Sequence, residues 1–229
     1  MLLDKLLNLL ANLLFVAVVL LGAYIMRRPL RKLLDALGVK KVGVSPGGEI
    51  SLECFENRMA DAYKKRLHKL PSENERRRIR NIHQCLAPVV LGRKVLWVDD
   101  YHAGNKDEHL AFAEMSIEVQ DCRTTDEAIQ LLDVAARGFD LVISDWSREG
   151  EIVTQPSAGL ELLKRIRDDK KLSIPVIFYH GSVPQDELET RRRLSLEMGG
   201  GGTTDNPGKL LDWTVGELVR TVLNEEETY

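Results

Sequence analysis

Four titratable residues fall where apolar runs end. Asp99 and Asp100 close KVLWVDD, Asp145 closes FDLVISD, and His180 follows IPVIFY. Carboxylates gathered at the ends of buried strands offer the clustered hard oxygens that a divalent cation takes. Beside such a cation, a further carboxylate can attack a phosphoryl group whose charge the cation offsets. Three like charges in one cleft repel, so without a cation one carboxyl should keep its proton to higher pH than usual. His180, when protonated, would add a positive charge near neutral pH. The plainer alternatives are a polar cluster that binds only water, and an imidazole that merely forms a hydrogen bond.

These residues need a frame that brings strand ends together. After Pro88 the chain alternates strand-like and helix-like stretches: KVLWVDD, a helix over 108–115, IEVQDC, a helix capped by Thr124 and Glu127 and running to about 137, FDLVISD, the helix GLELLKRIRDD, IPVIFYHGS, a helix over 187–198, GGTTDNP, and a closing helix over 210–223. Apolar strands separated by amphipathic helices require parallel pairing with helices on both faces. The expected fold is α/β, a flavodoxin-like doubly wound five-stranded parallel sheet, with any site beyond the C-terminal strand ends. Trp97 reads as core of the first strand and Trp146 as a cover at the pocket mouth. Gly199 to Gly202 follow a helix and lead into a strand, the reverse of a phosphate-cradling loop.

VLWVDD, DLVISDW, GLELLKRIR, IPVIFYHG and TTDNP, in this order and spacing, resemble the successive blocks of a response-regulator receiver (CheY-like) domain over residues 93–225. The resemblance implies that Asp145 is the phospho-acceptor and that Asp99, Asp100 and Asp145, with the backbone carbonyl of Ser147, hold Mg²⁺. Three positions depart from the family. His180 stands where a Thr or Ser hydroxyl is usual, Asn206 where a Lys precedes Pro, and Thr203 where an aromatic ring is usual. Lys209 falls just beyond the motif, and the loop SREGEIVTQPSAG is longer. The domain thus resembles an atypical or pseudo-receiver. KKVGVSPGGEISLE, SDWSREG and TTDNP also resemble a group of membrane-tethered receiver-like proteins.

Ahead of this domain, residues 6–26 carry no charge and are long enough to cross a bilayer. Arg27, Arg28, Arg31 and Lys32 follow, which places the rest of the chain in the cytoplasm and the N-terminus outside. Asn8 and Asn12, one turn apart, provide amides for homo-oligomer contacts inside the membrane; a buried core helix or an interfacial amphipathic helix is the alternative. The expected organisation is a transmembrane anchor over 1–28, a basic segment and short β-like connector over 29–54, a helical connector over 55–92, and the receiver-like domain over 93–225. Alternation around Ser-Pro-Gly-Gly reads as a hairpin or extended pieces, and Ser72 with Glu75 reads as a capping box. Arg76, Arg77, Arg78 and Arg80 form either a solvated face or a contact for anionic lipid.

The formal net charge of −3 argues against nucleic acid as a partner. Three widely spaced cysteines, Cys54, Cys85 and Cys122, read as reduced, buried thiols. The part ahead of the α/β domain holds no kinase or cyclase motif, so the expected function is a non-enzymatic adaptor that works by protein contact, with a histidine kinase or a downstream effector as partner. One alternative is a working phospho-receiver that takes a phosphoryl group on Asp145 with Mg²⁺. Another is a TIR-like NAD-cleaving enzyme, for which Glu114, Glu149 and Glu151 are the available acids.

Overall fold

The inner strands are short and apolar on both faces, which leaves no side for solvent and demands helices above and below. In the computed structural model, which describes residues 49–134 and 138–226, β1 (Lys94–Val98), β2 (Glu118–Cys122), β3 (Leu141–Ser144), β4 (Val176–Tyr179) and β5 (Gly202–Thr204) form one parallel sheet. The order is β2-β1-β3-β4-β5. This is the flavodoxin-like arrangement, and the order reverses between β1 and β3. Both strands end in acids, so the crevice where ligands bind in such sheets opens between Asp99 and Asp145.

The crossovers are α3 (Lys106–Glu114), entered through a 3-10 turn at His102–Asn105, then α4 (Thr125–Val134), α5 (Ala158–Lys164), α6 (Gln185–Glu197) and α7 (Pro207–Glu226). A π-helical turn, Arg165–Asp169, continues α5. Alternate strand residues fill opposite faces, as the period of two requires. Trp97, Ile143 and Tyr179 pack with Phe112, Leu211 and Val215 on one side, and Leu96, Val142 and Phe178 pack with Ile129 and Leu160 on the other. Trp97 is core, as its strand position implies.

Among the described residues two helices precede the sheet, α1 (Glu49–Leu67) and α2 (Glu73–Leu86). Residues 49–54 are helical rather than part of an extended connector. Phe55, Met59, Ala62 and Tyr63 recur at helical spacing and are all but fully buried against the sheet-covering core, and that burial propagates the helix toward its N-terminus. Ser72 and Glu75 do form the capping box that starts α2. The Arg run is mostly engaged within the chain: Arg80 pairs with Glu56, Arg78 with Asp212, and Arg76 donates to the Pro71 carbonyl. Only Cys122 is buried; Cys54 is half-buried and Cys85 exposed, because the inner face of α2 is narrow and buries only Ile79 and His83.

The expected membrane helix at residues 6–26 and the segment following it up to residue 48 lie outside the described residues. Among the described residues, no helix is long and apolar enough to cross a membrane. The Gly199, Gly200 and Gly201 amides donate to the Leu196, Ser195 and Val176 carbonyls, which leaves none of the three for a phosphate.

Candidate functional site

Sheet register brings the acids together. The Asp145 amide donates to the Val98 carbonyl at 2.8 Å and the Asp99 amide to the Cys122 carbonyl at 3.0 Å, so both acids leave the sheet at the same level. Gly159 lets α5 close over this point: a Cβ there would lie 2.8 Å from the Asp145 carbonyl oxygen and 2.8 Å from the Phe178 ring.

Each carboxylate has a defined set of partners. Asp99, buried, accepts from the Tyr101 amide at Oδ1 and from the Asn105 side-chain amide at Oδ2, both at 2.6 Å. Asp100 accepts at Oδ2 from the Glu149 amide at 2.9 Å. Asp145 accepts at Oδ1 from the Trp146 amide at 2.7 Å, and its Oδ2 accepts no hydrogen bond among the described residues. Burial, and after it the charge of Asp99, push the Asp145 carboxyl up to about 6; the Trp146 amide and the Arg148 guanidinium pull the other way. The proton held to higher pH, expected of one carboxyl in a three-acid cleft, falls on Asp145.

The other candidate positions are engaged in different ways. His180 is buried; its Nδ1 lies 2.5 Å from the Gly181 carbonyl oxygen, and its Nε2 has no partner among the described residues. Burial pushes its pKa down and the guanidinium of Arg191 adds to this, which works against the expected cationic role. Asn206 accepts from the Lys209 amide at 3.0 Å, so it caps the start of α7. Thr203 is buried within β5. Trp146 does not cover the mouth: it is buried edge-on against Phe178 with ring centroids 5.3 Å apart, and the Arg191 guanidinium lies 5.2 Å from its ring centroid. Ser147 is exposed, directly after Trp146.

Arg148 escaped the sequence reading. Its guanidinium is fully buried and donates to Ser144 Oγ, the Asp145 carbonyl, Thr125 Oγ1, the Ala158 carbonyl and Glu151. Nothing in SREGE distinguishes a buried arginine from a solvated one. Glu151, tied to Arg148 and Thr125, is a structural anchor of the loop and not a free acid for nucleotide chemistry.

Carboxylate oxygens are the donor type that Mg²⁺ takes. Three carboxylates line the crevice, and no Lys or Arg among the described residues forms an ion pair with any of them. Among the described residues no group of three His, Cys, Asp or Glu that could hold a metal ion is found. Mg²⁺ usually keeps several waters and takes one or two carboxylates. Asp145 Oδ2 is the carboxylate oxygen left without a hydrogen bond at this mouth among the described residues.

No protein-family model matches the sequence, and no curated protein is similar to it. Solved structures similar to the chain include the receiver domain of a Francisella response regulator, at 21% identity over 57% of this chain and 98% of that one, with a TM-score of 0.44. A CheY-like receiver domain protein from Methanospirillum hungatei is 20% identical over 58% and 98%, TM-score 0.44. A chemotaxis response regulator of Vibrio cholerae is 21% identical over 56% and 98%, TM-score 0.43. The likeness is one of fold: a five-stranded parallel sheet of flavodoxin-like order, already evident from the strand pairing.

Proposed function

We propose that this chain is a membrane-anchored, receiver-type signalling protein that acts through contact with a partner protein, a histidine kinase or a downstream effector. One observation carries the reading. The three acids sit at the β1/β3 reversal of the sheet, while the residues at the relay positions are otherwise engaged: His180 as a buried neutral ring, Asn206 as a helix cap. The crevice therefore keeps the means to take a cation and lacks the hydroxyl and ammonium that would carry a phosphoryl signal outward. Mg²⁺ bound there would supply charge neutralisation. Asp145 and Asp100 provide oxygens for it, and Arg148, through the Asp145 carbonyl, holds the segment that presents Ser147. On this reading the protein is not an enzyme.

A second reading, phosphoryl transfer to Asp145, is favoured by its Oδ2 being free of hydrogen bonds. Beryllofluoride with Mg²⁺, a mimic of the acyl phosphate, separates the two. The adaptor reading expects tryptophan emission of the full chain to respond to Mg²⁺ alone and to show no further Asp145-dependent change with beryllofluoride. A beryllofluoride response that disappears in Asp145→Ala would overturn it in favour of the phospho-acceptor.

Anchoring is supported by the uncharged run at residues 6–26 and the basic residues behind it, which orient the α/β domain toward the cytoplasm. The full chain should stay with membranes in alkaline carbonate, and deletion of residues 6–26 should release it. A wild-type chain found in the carbonate supernatant would dismiss the anchor. The Asn8 and Asn12 amides favour self-association through this helix.

A further inference from the structure

The opposite end of the sheet opens into a cavity of about 1180 Å³. Its walls gather where four strands begin: Lys94 opens β1, Asp140 precedes β3, Pro175 precedes β4 and Gly201 precedes β5. In sheets of this kind ligands usually bind at the carboxyl ends of the strands, so this cavity is separate from the acid crevice and shares no residue with it.

Cations outnumber acids along its walls. Arg93, Lys94, Arg167 and Arg220 face two acids, Asp140 and Glu217. Arg93 Nη1 pairs with Asp140 at 3.1 Å and Arg220 Nη1 with Glu217 at 2.8 Å, which engages both. Lys94 Nζ lies 3.6 Å from Glu118. Arg167 is held by backbone instead: Nη1 donates to the Leu172 carbonyl at 2.8 Å and Nη2 to the Gly199 carbonyl at 2.9 Å. These carbonyls belong to separate segments, one after the π-helical turn and one after α6, so the plane of the guanidinium is fixed from two sides. Further N–H donors of the fork remain. No carboxylate among the described residues pairs with Arg167, and burial pushes its pKa down with no acid to offset it.

The rest of the lining suits an organic body rather than a bare ion. Leu91 is 66% exposed and Leu172 38%, and Phe139, Ile174 and Pro175 stand at the same walls. Apolar surface of this kind gains by being covered. Ser173 and Thr221 add hydrogen-bonding hydroxyls. A planar, pre-oriented guanidinium matches the oxygens of a phosphate, and a phosphate monoester brings about two negative charges at neutral pH. The Gly199 to Gly201 amides are already committed, so the contact with the anion falls to side chains. Most small-molecule pockets measure roughly 300–1,000 Å³, and this one has room for a nucleotide.

We propose that this cavity binds a small phosphate monoester with an aromatic or apolar body, of the kind of a nucleoside monophosphate, with Arg167 holding the phosphate and the body covering Leu91 and Leu172. The α/β domain would then carry a small-molecule site at the end of the sheet remote from the three acids.

Calorimetric titration of the full chain in detergent tests this, with a chelator present so that the acid crevice takes no part. The probes are adenosine monophosphate, uridine monophosphate, inorganic phosphate and adenosine. At least one of the two nucleotides should bind with a Kd below about 1 mM. Inorganic phosphate and adenosine, each lacking half of the ligand, should bind at least roughly tenfold more weakly, and Arg167→Gln should weaken the nucleotide by a similar factor. Because Arg167 also ties two segments together, Leu91→Asp serves as a second variant: it places a negative charge at an exposed position of the wall and should weaken the nucleotide without changing the melting temperature. Failure of both nucleotides to bind overturns the proposal. So does nucleotide binding that a folded Arg167→Gln or Leu91→Asp chain leaves unchanged, since the nucleotide then sits elsewhere. Inorganic phosphate or adenosine binding as tightly as the nucleotide also overturns it. If Arg167→Gln fails to fold, Leu91→Asp decides alone.

Discussion

Arg148 Nη1 donates to the carbonyl oxygen of Asp145, three residues before it, at 3.1 Å. The candidate acid is therefore held by its backbone as well as by its side chain. The same guanidinium reaches the N-terminal ends of α4 and α5 through Thr125 and the Ala158 carbonyl, so one buried cation joins three elements beneath the crevice. Removing it would strand Glu151 in a pocket with no counterion. Arg148→Met should cost roughly 3–5 kcal/mol of stability, the range for breaking a buried ion pair from one side. Arg148→Lys should rescue little, since an ammonium cannot supply the planar set of donors. Thermal and urea unfolding of the two variants check this.

Asp145 predicts a pH dependence of definite sign. Its carboxyl is raised to about 6 in the folded chain, against about 3.9 when unfolded. Within this window the folded chain binds a proton that the unfolded chain has released, so stability falls as pH rises and the loss is complete above the folded pKa. Asp145→Asn removes the charge. In chelator-treated protein it should stabilise by roughly 3 kcal/mol at pH 7.5, about two pKa units' worth, and by next to nothing at pH 4. Equal gains at both pH values would contradict the assignment.

Mg²⁺ should act on the same group. At pH 7.5 a cation that binds only the folded chain raises the melting temperature with concentration. The gain should shrink toward pH 5, where Asp145 takes up its proton, and should be much reduced in Asp145→Asn. Calorimetric scans across a Mg²⁺ series measure both effects.

Gly159 offers a steric test. Alanine is the better helix former, by about 1 kcal/mol, yet at this place its Cβ would press on the Asp145 carbonyl and the Phe178 ring. Gly159→Ala should therefore destabilise, by about 1–3 kcal/mol, as overpacking does. It should also shift the Asp145 titration, readable by carboxyl NMR. Stabilisation of the variant would show that the contact relaxes freely.

Much of this molecule is legible along the chain. Strand and helix follow from hydrophobic period, a local property, and the capping box at Ser72 and Glu75 is complete within four residues. The acids of the crevice follow as well, because each closes its own apolar run and a parallel sheet puts the ends of β1 and β3 side by side. The extended reading of residues 49–54 failed because the docking of Phe55, Met59 and Tyr63, not the local alternation, decided the backbone there.

What only tertiary structure decided concerns charge and reach. Whether a carboxyl keeps its proton depends on how deeply it is buried and on which charges surround it, and Asp99, whose charge raises Asp145 most, follows another strand. Arg148 and Arg66 look alike in sequence to the exposed arginines of α2; their partners lie as far along the chain as Thr125 for the one and Tyr179 for the other. Cys85 is exposed and Cys122 buried because one sits on the outer side of a helix and the other at the end of a sheet strand. Local pattern places the functional atoms at one end of the sheet. Long-range packing determines which cations meet them, and so how the crevice is held.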